Sequence, residues 1–180
     1  MISETEEYKN LVTHRLDENL KSFNLLYGMK HYGNCISIMC QELDQIIRVL
    51  YLRNSSKIEQ QQLMYCTITN HKWFIVNREN KKEYITDEVL LRFTKTLTGW
   101  DQNIYEFGFS FKNLTNNYNY GSRDPIKSMS AADRAKLEKY ISEYHVHDFK
   151  KDFTLDDLIP VLPMIIDEIS AKLKSYIEKI

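Results

Sequence analysis

Residues 34–52 read NCISIMCQELDQIIRVLYL, and this stretch decides the fold class. Ile36, Met39, Cys40, Leu43, Ile46, Ile47 and Leu50 recur three and four residues apart. That spacing puts them on one face of an α-helix, whereas a half-buried strand would alternate. The opposite face carries Gln41, Glu42, Asp44, Gln45 and Arg48. Asp44 and Arg48 stand four apart, the spacing of an ion pair worth a few tenths of a kcal/mol on a helix surface.

The same period extends toward the N-terminus. Val12, Leu16, Leu20, Phe23 and Tyr27 mark the apolar face of a helix over about residues 5–28, with Gly28 as its stop. Beyond residue 52, Asn54-Ser55-Ser56 predicts a turn and a cap, then a Gln-rich helix to about Thr69. Lys72–Thr86 differs in kind. Trp73-Phe74-Ile75-Val76 and Tyr84-Ile85-Thr86 are β-prone, and Asn77-Arg78-Glu79-Asn80 is turn-like. The stretch predicts a small two-stranded hairpin or an irregular loop inserted into a helical bundle.

Helical signals then resume. A helix is expected over about 87–97, broken by Gly99, and another from Asp101 carrying Ile104, Tyr105, Phe107, Phe109, Phe111 and Leu114. Residues 116–130 are rich in Asn, Tyr, Gly, Ser, Asp and Pro and form the longest loop signal. Ser130-Ala131-Ala132-Asp133 resembles a capping box and opens a helix to about Tyr144. Thr154-Leu155-Asp156-Asp157 is a second cap. Beyond that cap, Pro160 and Pro163 allow only a short turn to Ile159 and a long helix from about Pro163 to Ile177. The pattern predicts a mainly α, single-domain helical bundle of six or seven helices over residues 1–180, with the small β-hairpin near residues 72–86.

Composition narrows the function. Of 180 residues, 24 are basic and 25 acidic, for a formal net charge of −1. That balance removes the argument for nucleic acid from bulk charge, leaving only a local patch. Cys35, Cys40 and Cys66 form no disulfide framework and no CxxC metal pair, and Cys40 lies on an apolar helical face as a small core residue. The twelve tyrosines suit either an interface or an ordinary core. The acidic start lacks the features of a signal peptide, and no apolar run approaches the length of a membrane span. A cytoplasmic chain without membrane contact is expected.

Familiar chemistry is scarce. The sequence has no GxGxxG, no Walker loop, no HExxH, no GxSxG and no DNA-specific motif. No cofactor is expected. Tyr144-His145-Val146-His147-Asp148 puts two imidazoles and a carboxylate close together, which makes His145, His147 and Asp148 weak metal-ligand candidates against a helix end favoured by the dipole. Arg123-Asp124-Pro125 suits either an anion fork or an internal Arg–Asp brace, the brace being the better expectation. Lys112, Arg123 and Lys127, with Tyr118 and Tyr120 between them, form either a basic–aromatic strip for single-stranded RNA or a solvated loop.

The C-terminal half, about residues 100–180, resembles HEPN-type helical domains of bacterial defence and toxin systems. The resemblance rests on Phe107-Gly108-Phe109-Ser110-Phe111-Lys112-Asn113-Leu114-Thr115-Asn116-Asn117-Tyr118, on Arg123-Asp124-Pro125, on the Ser130-capped helix to Tyr144-His145, and on the proline-started last helix. It implies a compact bundle, often dimeric, of a family in which many members cut RNA with an Arg followed after four to six residues by a His. Here Lys112 stands where the Arg would, and Asn117, Tyr118 and Asn119 stand where the His would. No other Arg has a His at that distance. The resemblance therefore implies a non-catalytic HEPN-like interaction module, a homodimer that binds a protein partner or RNA. Lys112, Asn117, Tyr118, Arg123 and His145 are its candidate ligand contacts. The alternatives are an unorthodox ribonuclease using Lys112, Tyr118 and Arg123, and a metal-dependent enzyme using His145, His147 and Asp148.

Overall fold

In the computed structural model, which describes residues 2–77, 79–94, 100–113, 115–145 and 153–180, the 34–52 stretch forms the body of helix α2 (Tyr32–Asn54). Thirteen of its 23 residues are buried, more than a helix with one core-facing stripe would bury. Helices α1 (Glu4–Gly28), α5 (Trp100–Lys112) and α8 (Leu162–Glu178) pack around it. Between them come α3 (Lys57–Ile68), strands β1 (Phe74–Val76) and β2 (Lys82–Tyr84), α4 (Asp87–Thr94), α6 (Ala131–His145) and the single turn α7 (Leu155–Leu158). Seven helices of more than one turn thus lie among the described residues, within the expected number. The strands pair antiparallel in the register Phe74 with Tyr84 and Val76 with Lys82, so Lys72–Thr86 contains the hairpin. The buried apolar side chains form one cluster.

Local chemistry sets the helix starts. Ser3 Oγ accepts from the Glu6 amide, and Glu4, Glu6 and Glu7 line the positive end of α1. Ser56 and Glu59 exchange the two bonds of a capping box, as do Thr154 and Asp157. Asp133 N–H donates to Ser130 Oγ at 3.1 Å, which opens α6 where the sequence expects it. At the end of α1 the left-handed residue is Lys30, with φ 62°, rather than Gly28.

Two features of α2 differ from the sequence reading. Asp44 and Arg48 do not pair with each other. Asp44 binds Lys112 of α5, and Arg48 binds Asp87 of α4 at 3.1 Å. Both helix–helix contacts displace a surface pair of marginal value. Glu42, expected on the polar face, is fully buried against α1. Asn19 Nδ2 donates to its Oε1, while Oε2 has no partner. Burial raises the Glu42 pKa. The Asn19 hydrogen bond and Arg15 oppose the rise, and Asp44 adds to it.

Gly108 fixes the α2–α5 approach. A Cβ there would lie 3.0 Å from Cys40 Cβ and 3.6 Å from the Ile36 carbonyl oxygen. Gly108→Val should therefore cost about 2 kcal/mol by overpacking, read as a lower urea midpoint at unchanged m value. Glu42 gives a pH signature. Its folded pKa lies above its unfolded one, so its contribution is greatest below the ordinary carboxylate pKa and is lost as pH rises through the raised value. Glu42→Gln should match the parent near pH 4 and exceed it near pH 8 by about 1 kcal/mol or more. A variant less stable than the parent at pH 8 would refute the buried-carboxylate account.

Candidate functional site

Of the sequence-predicted residues, Lys112, Asn117, Tyr118 and Arg123 are each engaged with partners of their own. Lys112 closes α5, and its ammonium is neutralised by Asp44. Asp44 Oδ1 also accepts from the Tyr105 hydroxyl at 2.7 Å. Burial and that bond raise the Tyr105 pKa. Beneath them the Cys40 thiol is pushed up to about 12 by burial, with Asp44 adding and Lys112 opposing. The cluster is a polar seam between α2 and α5, with its cation already paired.

Tyr118 sits on a 3-10 turn over Asn116–Asn119. Its hydroxyl lies 3.0 Å from Ser37 Oγ and donates to Asn34 Oδ1 at 3.3 Å. Its ring packs 5.9 Å from that of Phe111, and Tyr120 packs 6.4 Å from the same ring. Both tyrosines lie over Gly33, where a Cβ would come within 2.9 Å of Tyr120 Cε1 and 3.2 Å of Tyr118 Cε1. Of the residues weighed as a basic–aromatic strip or a solvated loop, the two tyrosine rings thus pack against the bundle, while Lys112, Arg123 and Lys127 are exposed. Asn117 Nδ2 donates to Ser110 Oγ at 2.6 Å, beside a small cleft of about 270 Å³ that includes Glu106 and Asp133. Two carboxylates make that cleft a poor seat for phosphate.

The 123–125 brace differs from the expected Arg–Asp pair. Arg123 Nε donates to Ser128 Oγ at 2.9 Å. Asp124 instead collects backbone donors. Its Oδ1 accepts from the amides of Ile126 and Lys127 at 2.8 and 3.0 Å, and its Oδ2 from the Leu155 amide at 2.9 Å. A short carboxylate thus closes its own turn and ties the loop to α7. His145 ends α6, and His147 and Asp148 lie outside the described residues. Among the described residues no group of three His, Cys, Asp or Glu could hold a metal ion.

A different site emerges between α1, α2, the end of α3, the hairpin and the start of α4. It is an open cleft of about 1280 Å³. Arg15, Arg48, Lys72 and Lys82 line it against one carboxylate, Asp87. Asp87 is already committed to Arg48 at 3.1 Å, and neither Lys72 nor Lys82 makes an ion pair with a described residue. Four cations against one anion make this a local positive patch on a chain of net charge −1.

Aromatic rings are interleaved with these charges. The strand register puts Phe74, Val76, Lys82 and Tyr84 on one face of the ribbon. Lys82 Nζ sits 4.5 Å over the Phe74 ring, and Tyr84 is 58% exposed. Trp73 points the other way and is buried, its Nε1 donating to Thr67 Oγ1 at 2.8 Å. The Arg48 guanidinium lies 5.2 Å over the Trp73 ring, which fixes its position. Tyr8, buried on α1, keeps its phenol protonated because burial raises its pKa, with Arg48 opposing. Exposed His71 lies with Nδ1 2.8 Å from Thr69 Oγ1.

The sequence reading missed this cleft because its cations come from separate elements without shared spacing. The local signal was present in Lys72-Trp73-Phe74 and Lys82-Glu83-Tyr84, where bases and rings sit two apart. The chain matches no family model, no curated protein and no solved structure. No helix among the described residues is long and apolar enough to cross a membrane.

The two neighbours in the loop should separate under mutation. Asp124→Ala leaves three amide donors without their acceptor and should cost about 2–3 kcal/mol. Arg123→Ala removes one exposed bond and should cost less than about 0.5 kcal/mol. Chemical denaturation of both variants distinguishes this arrangement from an Arg123–Asp124 brace, in which the two losses would be similar.

Proposed function

We propose that the chain is a non-catalytic, HEPN-like helical binding module, and that its cationic–aromatic cleft holds single-stranded RNA. The observation that carries this reading is the ribbon face where Lys82 and the Phe74 and Tyr84 rings line a cleft also reached by Arg15, Arg48 and Lys72. Cations attract the phosphate chain, and an exposed ring offers a stacking surface that tolerates any base. An acidic protein could also meet the charges, but a ring lying open beside a lysine offers a base both a stacking face and a neighbouring charge for its phosphate. A basic protein would be repelled.

The non-catalytic part rests on the missing Arg–His pair and on the engaged state of its stand-ins. Lys112 is paired with Asp44, and the Tyr118 hydroxyl is bonded to Ser37 and Asn34. The homodimer implied by the resemblance and a cytoplasmic setting belong to the same proposal, and solution mass reads the first.

Fluorescence anisotropy of a labelled strand of about eight nucleotides tests the reading. Affinity should fall with salt at a slope of about −2 to −3 in log K against log salt, since three or four phosphates are neutralised. Lys82→Ala should reduce that slope by about 0.7. Tyr84→Ala should cost about 1–3 kcal/mol of binding. Lys112→Ala and Arg123→Ala should leave binding unchanged. No binding at low salt would overturn the reading, and strand cleavage that vanishes in His71→Ala would overturn its non-catalytic part.

A further inference from the structure

We propose that Asp87 filters access to Arg48, so that the cleft selects the terminal phosphate monoester of an RNA strand over internal phosphodiesters and carboxylates. This rests on the RNA reading above and specifies which part of the strand the cleft holds.

Among the cations of the cleft, Arg48 is already engaged. It is held between the Trp73 ring at 5.2 Å and Asp87 Oδ1 at 3.1 Å. The indole supports the guanidinium, and Asp87 occupies one edge of it through Nη2. Any anion that uses Arg48 by that edge must displace Asp87. An incoming carboxylate replaces one charge and two oxygens with the same, so the exchange gains nothing at Arg48. An internal phosphodiester also brings one charge and two free oxygens. A terminal phosphate monoester brings nearly two charges and three acceptor oxygens at neutral pH. It can bind Arg48 and still offer charge to Lys72 or Lys82, which line the same cleft without an ion pair to a described residue.

Displacement is physically accessible. The Asp87 side chain is 75% exposed, whereas that of Arg48 is 31% exposed. Asp87 can return to water while Arg48 stays on the ring, and an exposed pair of this kind is weak enough to open. It remains strong enough to separate a better anion from an equal one. The adjoining Tyr84 ring, on the same ribbon face as Lys82, supplies the stack for the terminal base.

The experiment uses the full chain and one ribo-oligonucleotide in three forms, with a 5′-phosphate, with a 3′-phosphate and with hydroxyls at both ends. At least one phosphorylated form should bind about fivefold tighter than the hydroxyl form. In Asp87→Asn that ratio should fall toward one, because the hydroxyl form gains affinity. Equal binding of all three forms to the parent protein, still weakened in Lys82→Ala, would overturn the filter and leave the RNA reading standing. Absence of binding by every form would overturn both. Adenosine monophosphate should displace the strand only in large excess; displacement at equal concentration would overturn the strand end in favour of a free nucleotide.

Discussion

The close approach of α2 and α5 at Cys40 and Gly108 is the constraint on which the rest of the structure depends. With 3.0 Å between Cys40 Cβ and the place a Gly108 Cβ would take, any side chain there would press against α2 and force it to give. Contacts along the same stripe of α2 are set by this spacing. Gly33, Ser37, Cys40 and Asp44 lie four, three and four residues apart, one helical face. Gly33 admits the Tyr118 and Tyr120 rings, Ser37 Oγ donates to the Phe111 carbonyl at 2.8 Å, and Asp44 receives Tyr105 and Lys112. A seam of small and short polar groups runs through an otherwise apolar interface. It fixes the register of α5 along α2 through directional bonds that apolar packing alone would not supply.

That seam also explains which side chains are available for function. Residues at the end of α5 and in the following loop carry cations and hydroxyls that look like chemistry in the sequence. The seam uses them as structure. Lys112 is drawn to Asp44, Tyr118 to Ser37 and Asn34, and Asn117 to Ser110. A loop that must cover the end of a buried helix has backbone and side-chain polar groups to satisfy, and these partners satisfy them. Lys72 and Lys82, which make no ion pair with a described residue, stand instead in the cleft beside the hairpin.

The helices were legible in the sequence because their causes are local. Caps at Ser56, Ser130 and Thr154 act over three residues, apolar faces repeat within two turns, and the prolines at 160 and 163 permit only a turn before α8. The failures on α2 involve partners far apart in the chain. Asp44 and Arg48 satisfy the surface-pair spacing, yet Asp44 answers to a residue 68 positions away and Arg48 to one 39 positions away. Glu42 reads as solvent-facing because a helix wrapped on three sides has no fully polar face, which periodicity in one segment cannot reveal. The cleft was illegible for the same reason. Arg15, Arg48, Lys72 and Lys82 become neighbours only after α1, α2 and the hairpin have packed.

The hairpin itself shows how so small an element can present a surface. A lone two-stranded ribbon is marginally stable in water. This one is tethered at its base. Trp73 is buried beside Tyr51, donates to Thr67, and accepts from the Ile85 amide through its carbonyl at 2.9 Å. Gln62 Nε2 reaches the Phe74 carbonyl at 3.3 Å. At the tip, Asn77 Oδ1 accepts from the amides of Glu79 and Lys81, and Asn80 takes the left-handed conformation at φ 62°. Alternation then divides the roles. Because successive residues point to opposite faces, anchoring Trp73 on one face places the half-buried Phe74 on the other, and the register brings Tyr84 and Lys82 to the same side as Phe74. One buried indole thereby fixes both the ribbon and, through the Arg48 guanidinium lying over it, the position of the cation at the centre of the cleft.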